Sequence, residues 1–442
     1  MNLTTDQIVA MAPDDASLKA ARSLTSPAKW PLLGQSSDAL WGECQGSGSK
    51  PYQVSVDLTS PGSKCTCPSR KFPCKHALGL LLIAAEKPAS VHQSDPPPWV
   101  TDWLTSRRQK SEKKVAAASQ NRETADPEAA AKRTAKRLAR MKEGGEELAR
   151  WLADQVRGGI ADYPRKPSSF FTAIAARMVD AQTPGLGNEI SRLESIIHTG
   201  DGWPRHVLGQ LGRIYLLIEA LRRFESLPVP LQADLRAELG WPLDREEVLA
   251  TQPLVQDNWT VLGQTYAERD KLWERRTWLW GQTTRKMALL LEFAYGNRSF
   301  AITLAVGMRI KASLAYFPSV FPLRALLADE AIGASPLSEP FPAYPDFDSC
   351  LNAFADALSG NPWLRTLPVA LDGVTPLLRD EFWLLRDLTG TELRLQQGDL
   401  EKWQLLAESS GRPVRVFGEF NGREVRVLSS WEQGSPAFVA TS

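Results

Sequence analysis

Hydrophobic positions follow a helical spacing in the middle of the chain. Between about residues 143 and 240 they recur every three or four residues, as at Phe170, Ile174 and Met178. A second run with this spacing extends from 208 to 221. Because this period places apolar side chains on one face of an α-helix, the sequence predicts amphipathic helices that pack together.

After about residue 255 the pattern changes to short apolar runs separated by glycine and proline, which is typical of strands. The runs that predict strands are 259–263, 278–280, 288–293, 314–317, 413–417 and 424–428. Helical spacing returns at 350–358 and 400–409. The C-terminal part therefore predicts a mixed α/antiparallel-β region.

The N-terminal part predicts a β-hairpin followed by a helix. Residues 41–44 and 52–58 have the composition of strands, and the Gly-Ser-Gly-Ser stretch at 46–49 supplies the turn between them. From 74 to 85 the residues are almost all apolar, and this run ends before Pro88. The order of elements is therefore ββα.

Changes in composition divide the chain into four parts. The Ser-Asp-Pro-Pro-Pro run at 94–98 is a boundary signal. We predict a helical lead-in with the ββα module at 1–92, a basic linker rich in Ala, Lys and Arg at 93–142, a helical domain at 143–250 and an α+β domain at 251–442. The whole chain is thus predicted to be an α+β multidomain protein.

The basic linker carries most of the charge asymmetry of the chain. From Arg107 to Lys142 there are twelve Lys/Arg and four Asp/Glu, so its net charge is 12 − 4 = +8. Before Leu138 it has almost no apolar stripe, which leaves it without a face to bury. Two interpretations stay open: a solvated, partly helical spacer, or an arm whose cations neutralise nucleic-acid phosphates.

Candidate metal ligands are concentrated between the predicted hairpin and the predicted helix. Cys65, Cys67, Cys74 and His76 fall within twelve positions and include three of the five cysteines of the chain. They supply the four nitrogen and sulfur ligands of a tetrahedral structural zinc site. Catalytic zinc keeps a position for water, so a site with four protein ligands argues against an enzyme.

The alternatives to this ligand set are a disulfide bond and a different cysteine ligand, and the sequence favours neither. A Cys-x-Cys pair is too tight to form a disulfide comfortably, and five cysteines is an odd number. Cys44 is a rival ligand, although a strand cysteine is more often a small buried apolar side chain. We expect one structural Zn²⁺ per chain.

The ligand spacing and its ββα context resemble the SWIM zinc-finger family, whose pattern is Cys-x-Cys-xn-Cys-x-His. The segments 41–48, 68–76, 177–186, 278–281 and 416–420 also look like bacterial SWIM proteins of about this length. The resemblance implies a finger that recognises proteins or DNA. It further implies a gene context with a MoxR-type AAA+ ATPase and a von Willebrand A-type protein.

Four cations surround the predicted zinc ligands: Lys64, Arg70, Lys71 and Lys75. Three thiolates and a neutral imidazole on Zn²⁺ carry a net charge of −3 + 2 = −1. The four positive charges are therefore more than is needed to neutralise the zinc site. This excess indicates an anionic partner, either a phosphate backbone or an acidic protein surface.

A second basic stretch interleaves arginines with tryptophans between Trp273 and Trp280. Such side chains could stack on single-stranded bases. The alternative, which we favour, is a strand that buries its tryptophans.

Net charge and apolar runs exclude several classes of protein. The 442-residue chain has a net charge of +1. Its first residues lack the basic stretch followed by an apolar run that is typical of a signal peptide, so none is predicted. Its longest apolar or glycine run, 77–85, is too short to span a bilayer. We expect a cytoplasmic protein with no membrane partner. The sequence contains no phosphate-binding loop and no nucleophile elbow, so no small-molecule substrate or catalytic residue is predicted.

Two functions remain. The first, which we favour, is a zinc-finger protein that assembles with partner proteins. The second is a DNA- or RNA-binding protein that uses the basic surface of the finger and the linker.

Overall fold

The chain folds into an N-terminal five-stranded sheet, a helical bundle, a six-stranded sheet and a closed five-stranded barrel. The computed structural model describes residues 5–13, 15–46, 50–58, 62–69, 71–107, 127–200, 202–269, 271–296, 298, 300, 302, 304–328, 332–336, 341–396 and 399–431. The predicted α+β class, with a finger, a central helical region and a C-terminal mixed region, is confirmed.

The N-terminal sheet contains the two predicted strands and three further ones. Its strands are β1 (Leu32–Gln35), β2 (Ala39–Cys44), β3 (Tyr52–Asp57), β4 (Gly62–Cys65) and β5 (His92–Gln93), in the order β4-β3-β2-β1-β5. All pairs are antiparallel except β1 with β5. The predicted hairpin is β2 and β3, and the strand that leads into the ligands, β4, is an addition to the prediction.

Helices cover both faces of this sheet. Helices α1 (Thr5–Ala10) and α2 (Asp15–Arg22) pack against α3 (Lys75–Glu86), which lies on one face. On the other face α4 (98–107) packs its Val100 against Trp41. Sequence analysis assigned α4 to the linker, but it forms part of this layer; residues 108–126 of the linker lie outside the described residues.

Five helices form the bundle, and a sixth, short helix follows them and contacts two strands of the next sheet. In chain order these helices are α5 (Pro127–Gly158), α6 (Ser168–Asp180), α7 (Pro184–Ile196), α8 (Trp203–Arg222), α9 (Val229–Glu238) and α10 (Arg245–Thr251). Phe171, Ile174 and Met178 are buried in its core, as their spacing predicts. Met141 is the first fully buried residue of α5, so the helix begins well before the bundle does.

The six-stranded sheet follows in the order β10-β8-β7-β6-β9-β11, and β10 also pairs with β9. Its strands are β6 (Leu254–Arg269), β7 (Leu272–Gly281), β8 (Met287–Tyr295), β9 (Met308–Tyr316), β10 (Arg324–Leu327) and β11 (Ile332–Pro336). Trp278 and Trp280 of β7 are buried, which agrees with the favoured interpretation of this stretch and leaves these two rings inaccessible to bases.

The N-terminal layer and the six-stranded sheet share one hydrophobic core. Leu78 and Leu82 of α3 belong to the same buried cluster as Trp259, Leu279 and Ile310 of the sheet. Each such side chain contributes about 1.5–3 kcal/mol when it is fully buried. The first and last predicted domains are therefore joined through packing, although about 150 residues separate them in sequence.

The barrel closes the C-terminal region. Helix α11 (Phe347–Gly360) precedes β12 (Leu367–Arg379), β13 (Phe382–Arg386), β14 (Glu392–Leu395), α12 (Asp399–Ser409), β15 (Val414–Phe420) and β16 (Glu424–Trp431). The closed order is β12-β13-β14-β16-β15, with β14 and β16 parallel. A five-stranded barrel with a helix between its third and fourth strands has the architecture of an OB-fold.

A close helix contact in the bundle makes a testable prediction. A Cβ atom added at Gly185 of α7 would lie 1.8 Å from the carbonyl oxygen of Glu238 in α9, whereas at Gly209 of α8 it would meet nothing within 4 Å. We expect Gly185→Ala to lower the free energy of unfolding by about 1–3 kcal/mol, because the helices must separate. The matched Gly209→Ala should raise it by about 0.5–1 kcal/mol.

Urea unfolding followed by circular dichroism measures both variants. A Gly185→Ala protein as stable as wild type would contradict the contact between α7 and the end of α9.

Candidate metal centre

Three elements bring the four predicted ligands together. Cys65 is the last residue of β4, where it pairs with Val54 of β3. Cys67 follows two residues later, Cys74 is the N-cap residue of α3, and His76 lies in the first turn of that helix. Strand pairing therefore sets one half of the site, and the start of a buried helix sets the other.

The four ligand atoms lie close enough together to bind one metal ion. The three sulfurs and a ring nitrogen of His76 all lie within 4.8 Å of one another. Cys65 Sγ is 3.7 Å from His76 Nδ1. With Zn–S near 2.3 Å and Zn–N near 2.0–2.1 Å, the edges of a tetrahedral site measure about 3.5–3.8 Å. The cluster is thus compatible with one structural zinc ion.

The surroundings close the site on its inner side. Cys74 and His76 are buried, and Cys65 and Cys67 are partly buried. The ring of Tyr52 lies 4.9 Å from the His76 ring, and the backbone N–H of Cys67 donates to Cys65 Sγ at 3.5 Å. The Tyr52 ring restricts the orientation of the imidazole, and the Cys67 N–H stabilises negative charge on Cys65 Sγ. Groups around a metal ligand commonly have these roles.

The thiols differ in how readily they ionise. The neighbouring Cys65 thiol, followed by the His76 ring and the first N–H groups of α3, lowers the pKa of Cys74 to about 4. The interaction with Cys74 and burial raise the pKa of Cys65. Because metal ligands must be deprotonated, binding of zinc releases protons from the thiols.

Cys44 lies outside the cluster. It ends β2 in the shared hydrophobic core, fully buried, and burial raises the pKa of its thiol. Within the described part of the chain, the Cys65, Cys67, Cys74 and His76 group is the one set of His, Cys, Asp and Glu side chains with metal-binding spacing. Cys44 is therefore an apolar core residue.

The predicted cations lie around the ligands on the outer side. Lys64, Lys71 and Lys75 are exposed, and Arg70 lies outside the described residues. The rest of α3 points inward, with every residue from Leu78 to Ile83 buried. The outer surface of the finger is therefore formed by the ligand loop and by lysines, with no helix face exposed.

Sequence reasoning did not identify Tyr52 as a neighbour of the ligands. The sequence predicts that Tyr52 lies on the hairpin, but its contact with His76 depends on how β3 meets α3. The one local signal was an aromatic residue at the strand end opposite the Cys-x-Cys pair.

Two family models match the chain. A SWIM zinc finger model covers residues 52–85, and a SWIM-associated four-helix bundle domain model covers residues 136–239. No curated protein matches the chain, and no solved structure matches it. Among the described helices none is both long and apolar enough to cross a membrane.

The geometry predicts which cysteines hold zinc. Wild-type protein should contain about one zinc per chain by elemental analysis, and Cys67→Ser should lose it because one of four ligands is replaced. Cys44→Ala is the matched control, because it removes a nearby buried sulfur that lies outside the cluster. Full zinc occupancy in Cys67→Ser, or loss of zinc in Cys44→Ala, would show that the ligand set is wrong.

Proposed function

Because the chain carries a SWIM zinc finger followed by the helical domain associated with such fingers, we propose that it is a zinc-binding interaction protein. In this proposal the finger is the surface through which the chain assembles with partner proteins. Zinc is structural, and the chain is not an enzyme, since four protein ligands leave no position for substrate or water on the metal.

The main support is the burial of α3. Leu78, Leu80 and Leu82 lie in the core shared with the six-stranded sheet, so this helix is not free to enter a nucleic-acid groove as a recognition helix does. Contacts made by the finger must therefore come from its ligand loop. Such a loop, held by a metal on a rigid core, offers a small preformed surface, which lowers the entropy lost on binding.

The charge of this surface favours an acidic partner. Lys64, Lys71 and Lys75 are exposed around ligands that carry −1 with zinc bound. Opposite charges on a partner would speed association and orient it. The family resemblance suggests an AAA+ ATPase and a von Willebrand A-type protein as the first partners to test.

The same lysines support a second candidate, binding of DNA or RNA phosphates by the finger. Phosphate contacts need only exposed cations and no recognition helix. This candidate predicts strong salt dependence and sensitivity to nuclease.

A pull-down from native cells separates the two candidates. Tagged full-length protein should retain specific partner proteins after nuclease treatment. Lys64→Glu/Lys75→Glu should lose them because it reverses charge beside the ligands. Arg157→Glu/Arg165→Glu is the matched control: it makes the same charge change at two exposed bundle positions.

Cys67→Ser should also lose the partners, because the ligand loop is no longer held by zinc. Recovery that nuclease abolishes would favour the nucleic-acid candidate. Partners that are retained by both the Lys64→Glu/Lys75→Glu and the Cys67→Ser variants would show that the finger is not the docking surface.

A further inference from the structure

Helix α5 extends beyond the bundle that it helps to build. It begins at Pro127, but among its described side chains Leu138 is the first apolar one to pack against the bundle core and Met141 is the first to be fully buried. Every residue from 131 to 136 is exposed. The part of α5 from 131 to 136 is therefore open to solvent on all sides while remaining continuous with a packed helix.

This projecting part carries a cationic stripe. Lys132, Lys136 and Arg140 follow one another at intervals of four residues, and Arg133 and Arg137 are adjacent to them. Side chains four residues apart lie on the same face of a helix. Five cations thus share one face over about 12 Å of helix axis. We call these five residues the α5 stripe.

Few of these charges are neutralised within the fold. Arg133, Lys136 and Arg140 form no ion pair with any described residue, and Arg137 lies over the ring of Trp241. Lys132 meets Glu128, but both side chains are about three-quarters exposed (76% and 78%), and such a surface pair contributes little.

Several other cations on the surface are paired. In the packed half of α5, Glu146 holds Arg222 and Glu147 holds Arg177. On the barrel, Arg379 and Arg386 both contact Glu392. The α5 stripe differs because most of its cations are unpaired.

The opposite face of the helix identifies the kind of partner. Ala131, Thr134, Ala135 and Ala139 are small and exposed, so the segment offers no apolar or aromatic anchors of the kind that protein interfaces bury. It also has no aromatic residue on which a single-stranded base could stack. What remains is charge alone, and duplex DNA presents one negative charge per about 1.7 Å of axis.

We propose that the α5 stripe is a docking site for duplex nucleic acid, with its cations on the phosphates of the backbone. The site is separate from the zinc finger and does not depend on the function proposed above. Because the contacts are to phosphates, binding should show little sequence preference. Continuity with the packed half of α5 keeps the stripe helical before the duplex arrives.

The test is fluorescence anisotropy of full-length protein with a labelled 20-base-pair DNA duplex across a salt series. Log affinity should fall linearly with log salt, with a slope near −4.5 if all five cations contact phosphates. Lys132→Gln/Lys136→Gln/Arg140→Gln should reduce the steepness of that slope by about three. Since all three positions are exposed, its thermal unfolding should match that of wild type.

The matched control is Arg157→Gln/Arg165→Gln/Arg205→Gln, which removes the same charge from exposed bundle positions. This control should bind the duplex as wild type does. Lys64→Gln/Lys75→Gln measures any contribution of the finger separately, and the loss of affinity in the α5 triple variant should exceed the loss in this variant.

Several results would overturn the proposal. They are no binding near physiological salt, equal binding by wild type and the α5 triple variant, or loss of binding in the finger variant alone. Tighter binding of labelled poly-glutamate or of single-stranded DNA than of the duplex would show that the occupant is of another kind.

Discussion

The burial of α3 on all sides is the constraint on which the rest of the structure depends. Its residues from Leu78 to Ile83 are enclosed by the N-terminal sheet, by α1 and α2, and by the core of the six-stranded sheet. A helix placed in this way cannot turn or slide without opening that core. Cys74 and His76, at its start, are positioned by the same packing, so the metal centre and the main hydrophobic core stabilise each other.

Buried carboxylates join the remaining parts of the molecule. Glu189 of the bundle contacts Arg365, which precedes the barrel, and Arg213 within the bundle. Glu419 of the barrel accepts a hydrogen bond from Trp278 of the six-stranded sheet at 2.8 Å. Buried charges of this kind add less to stability than apolar packing does, but removing one partner is costly because the other is left unpaired. They favour one arrangement of the parts over others.

Local patterns in the sequence predicted the local features of the structure. The zinc ligands, α3 and the bundle helices could be predicted because ligand spacing and apolar periodicity act over short distances. The sequence predicts a linker that is only partly helical before Leu138, since only there does an apolar stripe begin, and Leu138 does pack against the bundle core. In the structure α5 begins at Pro127, and the alanines that follow, strong helix formers, were the available signal.

Long-range features left no such pattern. Pairing of Leu367 with Phe420, which helps to close the barrel, joins residues more than fifty positions apart. The core that α3 shares with Trp259 joins residues that are farther apart still. Helix α4 was missed because two prolines precede it, a third is its first residue and a charged segment follows it, so that its apolar signal is confined to the short stretch from Trp99 to Leu104.

Helix α5 runs without a break from its projecting turns into the bundle. The direction in which its cations point therefore depends on the number of helical residues between them and the bundle. Each residue added or removed between Arg140 and Met141 would rotate the outer segment by about 100° and move it by about 1.5 Å relative to the bundle. Inserting eighteen residues, about five full turns, would restore the original direction of the cations. Inserting one residue would turn them toward another side of the molecule. The length of this helix thus sets the direction of the cations relative to the bundle, whereas a flexible linker of the same composition would leave that direction free.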